Sequence, residues 1–135
     1  MKNQANRFKN YIQKISGAYP DVKVQIDETI RNDLSFSAVI ALNVFRILQE
    51  SFTNALKHSH CNNIRVCIAC DESMNISVED NGIGIDESKF KKGNGITNMQ
   101  ARAKDSGFTL IIDGRKDGTV VKLIFSPGFG RGTTN

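Results

Sequence analysis

One stretch, about residues 37–57, constrains what this 135-residue chain can fold into more than any other. Wound at about 100° per residue, it clusters Ala41, Val44, Phe45, Leu48, Phe52, Ala55 and Leu56 on one side. Glu50, Asn54 and Lys57 then fall within about 60° of one another on the opposite side. A helix with so broad an apolar stripe must bury it against another layer. The flanking sequence supplies that layer. Val22-Lys-Val24-Gln-Ile26 alternates strictly, as a half-buried strand does. Residues 63–70 and 74–79 flank an Asp71-Glu72-Ser73 turn and read as a hairpin, and 108–113 and 119–125 are joined through Gly114 to Gly118. Phe8, Tyr11, Ile12 and Ile15 predict a first helix over about 6–16, with Gly17 as its stop, and a further helix over about 96–105 ends at Gly107. Paired strands with helices between them predict an α+β fold, a two-layer α/β sandwich in which helices cover one face of a mixed sheet.

With 39% hydrophobic residues, the chain can build a single core. It has no apolar run long enough to cross a membrane, and Lys2, Arg7 and Lys9 lead into no secretory apolar segment. Its net charge of +4 tolerates a polyphosphate ligand. Without a basic stripe or interleaved stacking aromatics, no nucleic-acid partner is expected. Cys61, Cys67 and Cys70 are odd in number, against a secreted disulfide framework. Cys67 and Cys70, three apart on a strand, face opposite sides and cannot converge on one zinc ion. They read as small hydrophobes in a reducing cytoplasm.

Glu50, Asn54 and Lys57, at i, i+4 and i+7, could simply be the solvated face of an amphipathic helix. Their place near the negative end of the helix dipole gives a second reading. Glu50 and Asn54 are hard oxygen donors suited to Mg²⁺, which keeps waters and bridges phosphates, while Lys57 and His58 could meet phosphate oxygens.

Ten of the eleven glycines lie at or beyond position 82, which puts the backbone freedom in the second half. Asp80-Asn81-Gly82-Ile83-Gly84 follows a strand end. Asn-Gly alone would be a plain hairpin turn, but no regular strand returns after it. Its acidic residues do not fall at the alternate positions of a calcium loop. A carboxylate there, beside glycines that admit a flat ring, could accept the exocyclic amine of adenine and disfavour guanine, which presents a carbonyl instead. Lys91-Lys92-Gly93-Asn94-Gly95 precedes a helix, where glycine-rich backbone can offer N–H groups to phosphate.

In this order the motifs resemble the ATP-binding catalytic domain of bacterial two-component sensor histidine kinases, within the GHKL ATPase superfamily and its Bergerat fold. Glu50-x-x-x-Asn54-x-x-Lys57-His58 resembles the N box, Asp80-x-Gly82-x-Gly84 the G1 box and Gly93-x-Gly95 the G2 box. Gly95-Ile-Thr-Asn-Met99-Gln-Ala-Arg102 is most similar to the branch with NarL- and DesK-type kinases. Asp117-Gly118-Thr119-Val120 resembles the family's last strand, whose threonine lies near adenine. The resemblance covers about residues 20–126.

The resemblance implies ATP and Mg²⁺ as ligands. Asn54 would bind the metal, with Glu50 near it or its water. Lys57 and His58 would contact phosphates, and Asp80 would recognise adenine beside Gly82, Gly84 and Thr119. Gly93, Asn94 and Gly95 would flank an ATP lid running from Ile85 to Lys92. Catalytic roles fall to Glu50, Lys57 and His58. His58 and His60 resemble no phosphoacceptor motif, so the acceptor histidine is expected on a separate dimerisation domain. Residues 1–19 then read as a linker helix from that missing domain, 20–126 as the catalytic domain and 127–135 as a flexible tail. The implied partners are the dimerisation/phosphoacceptor domain and a downstream response regulator. The fragment itself is expected to be monomeric and cytoplasmic without membrane contact, whether or not the full-length protein is anchored in the inner membrane. Two other readings share the fold: an anti-sigma-factor serine kinase and a non-catalytic nucleotide-binding module.

Overall fold

A computed structural model describes residues 1–58, 60–82, 95–115 and 117–126. In chain order the elements are α1 (Lys2–Ser16), β1 (Lys23–Ile30), α2 (Ala38–His58), β2 (Asn63–Cys70), β3 (Met74–Asp80), α3 (Gly95–Ser106), β4 (Thr109–Arg115) and β5 (Gly118–Phe125). The strands form one mixed sheet in the order β1-β2-β3-β5-β4. β1 runs parallel to β2, from Lys23↔Asn63 to Ile30↔Cys70, and the other neighbours are antiparallel. This is the α+β sandwich expected from the sequence.

The alternation in the hairpin works as predicted. Ile64, Val66, Ile68 and Cys70 of β2 and Met74, Ile76 and Val78 of β3 are buried on one face. Against them pack Phe8 and Ile12 of α1, Val44, Ile47, Leu48, Phe52 and Ala55 of α2, and Met99 and Ala103 of α3. The rings of Phe8 and Phe52 meet edge to face at 6.2 Å. Each fully buried side chain of this size stabilises the fold by roughly 1.5–3 kcal/mol. Cys67 is half-buried and Cys70 buried, on opposite faces of β2 as their spacing predicts.

α2 begins where its sequence predicts. Ser37 acts as N-cap, its Oγ accepting from Ile40 N at 3.2 Å while its carbonyl accepts from Ala41 N at 2.9 Å. α3 ends in a Schellman pattern: Phe108 N donates to Ala103 O at 2.9 Å and Gly107 N to Lys104 O at 3.2 Å, with Gly107 at φ +76°. Gly17 differs: it follows α1 in right-handed conformation, with φ −59°, so it stops that helix without a left-handed cap.

α1 and β1 are longer than expected. α1 starts at Lys2 because Ala5, buried at i−3 from Phe8, extends the apolar seam with too small a side chain to register as a pattern. β1 runs on to Ile30 because its ladder with β2 continues to Cys70, and its charged residues are paired. Glu28 meets Lys9 of α1 at 2.7 Å, and Asp27 on the helix-free face meets Arg65 of β2 at 3.0 Å.

At the sheet end holding the start of β3, Phe36, Phe108 and Phe125 form an aromatic triangle with centroids 5.0–5.8 Å apart. The opposite end holds Asp80 and the candidate site.

Candidate functional site

α2 carries the first group of side chains. It is buried over a wider arc than one apolar stripe, because α3 packs along its flank. Ser51 is buried there, its Oγ donating to Ile47 O at 2.8 Å and lying 3.4 Å from Met99 Sδ. Farther along the same seam Asn43 donates to Ser106 Oγ at 2.9 Å and accepts from Arg102 at 3.4 Å. The polar stripe is thereby confined to Glu50 and Asn54, both half-buried, and Lys57, which is exposed.

Glu50 sits more than two turns before His58, the last residue of α2. The negative end of the α2 dipole therefore bears on Lys57, not on Glu50, because the effect fades within the last turn. Instead the Glu50 carboxylate abuts the first residue of α3. A Cβ on Gly95 would lie 2.5 Å from Glu50 Oε1, so the carboxylate stands at the positive end of that helix. Beside it, burial pushes the phenol of Tyr11 up; a hydrogen bond with Gln49 opposes the shift, and the Glu50 charge reinforces it. The Tyr11 ring also packs on Phe45 at 5.9 Å, and the Arg7 guanidinium lies 4.3 Å above the Phe45 ring.

The second group lies at the end of β3. Asp80 is buried and pairs across the strands with Thr119 of β5, also buried. One Asp80 carboxylate oxygen accepts from Gly82 N at 2.9 Å, a local turn that fixes its direction. β5 can come this close because Gly118 has no side chain: a Cβ there would overlap the Asp80 carbonyl.

A cavity of about 610 Å³ lies at these same strand ends, lined by Lys23, Gln25, Arg65, Glu79, Asn81 and Thr119 among others. Strand alternation points Lys23, Gln25, Arg65 and Glu79 away from the helices. The cavity thus backs onto the Asp80–Thr119 pair from the helix-free face, whereas the Asp80 carboxylate is directed to the helix side.

The structure therefore brings together Glu50 with Gly95, and Asp80 with Gly82 and Thr119. Gly84, Gly93, Asn94 and the His58 side chain lie outside the described residues. Among the described residues no cluster of three or more His, Cys, Asp or Glu could hold a metal ion by itself. The donor set of Glu50 and Asn54, hard oxygens one helical turn apart, still suits a Mg²⁺ that brings its own waters and phosphate ligands. Among the same residues no helix is long and apolar enough to cross a membrane.

Sequence reasoning missed Asn81, which it read as a turn residue. The Asn81 side chain ties the Asp80 loop to the start of β2, accepting from the backbone amides of Asn62 and Asn63 and donating to the Asn62 side chain. Asn62, a polar residue just ahead of the strand, was the available signal.

Comparison with known proteins bears on the family and the fold. Over 101 residues the chain is 34% identical to the nitrate/nitrite sensor protein NarQ of Escherichia coli, covering 72% of this chain and 18% of NarQ. The chain spans about a fifth of the length of the curated relatives it matches. Among solved structures, the histidine kinase domain of a blue-light activated kinase from Erythrobacter litoralis superposes with a TM-score of 0.70 at 20% identity, covering 90% of this chain and 61% of that one. The mycobacterial sensor histidine kinase MprB gives 0.68 at 14% identity, covering 90% and 92%. At these identities the superpositions speak for the fold. The sequence itself, over residues 40–134, matches a family model, and the chain belongs to the histidine kinase-, DNA gyrase B- and HSP90-like ATPases.

Proposed function

We propose that this chain is the ATP-binding catalytic domain of a sensor histidine kinase, which binds Mg-ATP and donates the γ-phosphate to a histidine on a separate dimerisation/phosphoacceptor domain. The observation that carries the reading is Asp80: a buried carboxylate, aimed by Gly82 N–H and set against Thr119 at a strand end. It would accept the adenine amine, which a guanine carbonyl cannot replace. Gly82 and Gly84 would leave room for the ring.

Asn54 and Glu50 would hold Mg²⁺ or its water, and the metal would neutralise charge on the phosphates. Lys57 and His58 would contact phosphate oxygens, and Gly93, Asn94 and Gly95 would lend backbone N–H groups at the start of α3. Phosphoryl transfer asks mainly for positioning and charge stabilisation. The chain's part is to hold the nucleotide for in-line attack by an imidazole nitrogen that another domain supplies.

Residues 1–19 would connect to that domain, 20–126 form the catalytic unit and 127–135 the tail. The phosphorylated histidine would pass its phosphate to a response regulator. The domain would act as a monomer on the cytoplasmic side, where ATP is available.

The test is to mix the chain with a histidine-bearing dimerisation domain and γ-labelled ATP. Acid-labile histidine label supports the reading. Serine label on an anti-anti-sigma partner would instead identify a serine kinase, and tight ATP binding without transfer would leave a nucleotide-binding module.

A further inference from the structure

Asn81 lies between two residues assigned to the nucleotide, Asp80 and Gly82, yet its own side chain turns back toward the protein. Its Oδ1 accepts from two consecutive backbone amides, Asn62 N at 3.1 Å and Asn63 N at 3.0 Å. Backbone amides only donate, so the orientation of the Asn81 amide is settled by its neighbours. Its Nδ2 then donates to Asn62 Oδ1 at 2.6 Å, and its backbone N donates to Asn63 O at 3.3 Å. The same short turn also holds β1. Asn63 Nδ2 donates to Asn62 Oδ1 at 2.9 Å, and Lys23 N of β1 donates to Asn62 O at 2.8 Å. One side chain thus ties the exit of β3 to the turn that follows α2, with β1 fastened to the same point.

We infer that Asn81 is a positioning residue: it clamps the Asp80–Gly82 segment to the turn after α2, so that the Asp80 carboxylate is held at a fixed place relative to the phosphate-binding end of that helix. Asn81, Asn62 and Asn63 are exposed, so each bond competes with water and is individually modest. Their joint effect is geometric. Asp80 is the last residue of β3, and past it, among the described residues, a single long backbone bond, Asn81 N to Asn63 O, is all the main chain adds. Without the clamp, the Asx turn formed by Asp80 and Gly82 would keep its local shape and the single backbone bond from Asn81 N to Asn63 O, but lose the three side-chain bonds that fix it to the turn after α2. Base recognition suffers most from such loosening, because a single carboxylate must meet one edge of a flat ring.

The inference rests on the proposed nucleotide site, and the experiment separates the two. Calorimetry measures Mg-ADP and Mg-GDP binding to the wild-type chain and to the Asn81→Ala, Asp80→Asn and double variants. Asn81→Ala is expected to weaken ADP roughly tenfold while leaving GDP unchanged, and to add nothing once Asp80→Asn is present. Should Asn81→Ala fail to fold, Asn62→Ala removes the acceptor of Asn81 Nδ2, and of Asn63 Nδ2 with it, while keeping both backbone donors to Asn81 Oδ1, and is expected to weaken ADP about threefold with GDP again unchanged. Equal weakening of ADP and GDP, full additivity in the double variant, or wild-type affinity would overturn the clamp while leaving the site intact. A wild-type chain that binds no adenine nucleotide would overturn the site and the clamp together.

Discussion

The Oε1 oxygen of Glu50 occupies the place where residue 95 would carry a Cβ, 2.5 Å from it. The middle of α2 and the first residue of α3 are therefore in mutual contact, and Gly95 is required there for room. Gly95→Ala would push the carboxylate aside. Glu50 is flexible at its tip, and alanine favours a helix by up to about 1 kcal/mol over glycine, so thermal stability should change little. Phosphotransfer to an added dimerisation domain should fall about tenfold to a hundredfold, since small displacements of positioning groups are costly. Normal transfer rates would show that Glu50 is free to move without consequence.

Asp80→Asn exchanges a buried charged acceptor for a group that also donates. Loss of a charge-assisted hydrogen bond should weaken ATP by about 1.5–3 kcal/mol and narrow the preference over GTP. Calorimetry with both nucleotides reads this directly, and an unchanged ATP affinity rules out the adenine role.

Asn54→Ala removes one of two hard oxygen donors on the polar stripe. Nucleotide binding or transfer should lose its dependence on Mg²⁺ concentration. A Mg²⁺ titration that overlays the wild type would take the metal role away from Asn54.

Phe52 is fully buried and edge-on to Phe8. Phe52→Ala should cost about 3–5 kcal/mol of stability, measured by denaturant unfolding, and should loosen α1 from α2. A loss below about 1 kcal/mol would mean that the interior collapses to fill the gap.

Tyr11 carries the pH prediction. Its folded pKa is raised above the ordinary value of 10.0, first because of burial. The unfolded chain therefore gives up the phenol proton at lower pH than the folded one. The stability held by the neutral phenol is complete below the unfolded value and is lost as pH rises through the folded one. Thermal melts between pH 9 and 11 should decline less steeply for Tyr11→Phe. Identical slopes would place the alkaline sensitivity elsewhere.

The elements most legible in the sequence were those with a strong periodic signal. β2 and β3 alternate cleanly because one face is buried and the other open, and α2 carries a wide apolar stripe. The wider burial of α2 was not legible. Ser51 is polar, and only the approach of Met99 from a helix far along the chain makes its position interior. The last residues of β1 carry Asp27 and Glu28, whose strand conformation comes from the ladder with β2 and whose charges are met by Arg65 and Lys9 from other elements. The aromatic triangle of Phe36, Phe108 and Phe125 joins three distant segments and has no local signature. In the site, Glu50, Asp80 and Gly82 stood out by residue type and spacing. Asn81 did not, because an Asn-Gly pair announces a turn and conceals that the asparagine reaches across to residues 62 and 63.

The pairing of strands has a consequence for how the chain is made. β2 with β3 and β4 with β5 are neighbours in sequence and can zip locally, whereas Lys23 must wait for Asn63, and Met74 for Phe125. During synthesis β1 leaves the ribosome well before the strand it pairs with, and in the finished sheet it is an outer strand. Its early exposure is a hazard for pairing with other chains. Asp27 and Glu28, charged residues within that waiting strand, would discourage such encounters until their basic partners, Arg65 and Lys9, are in place.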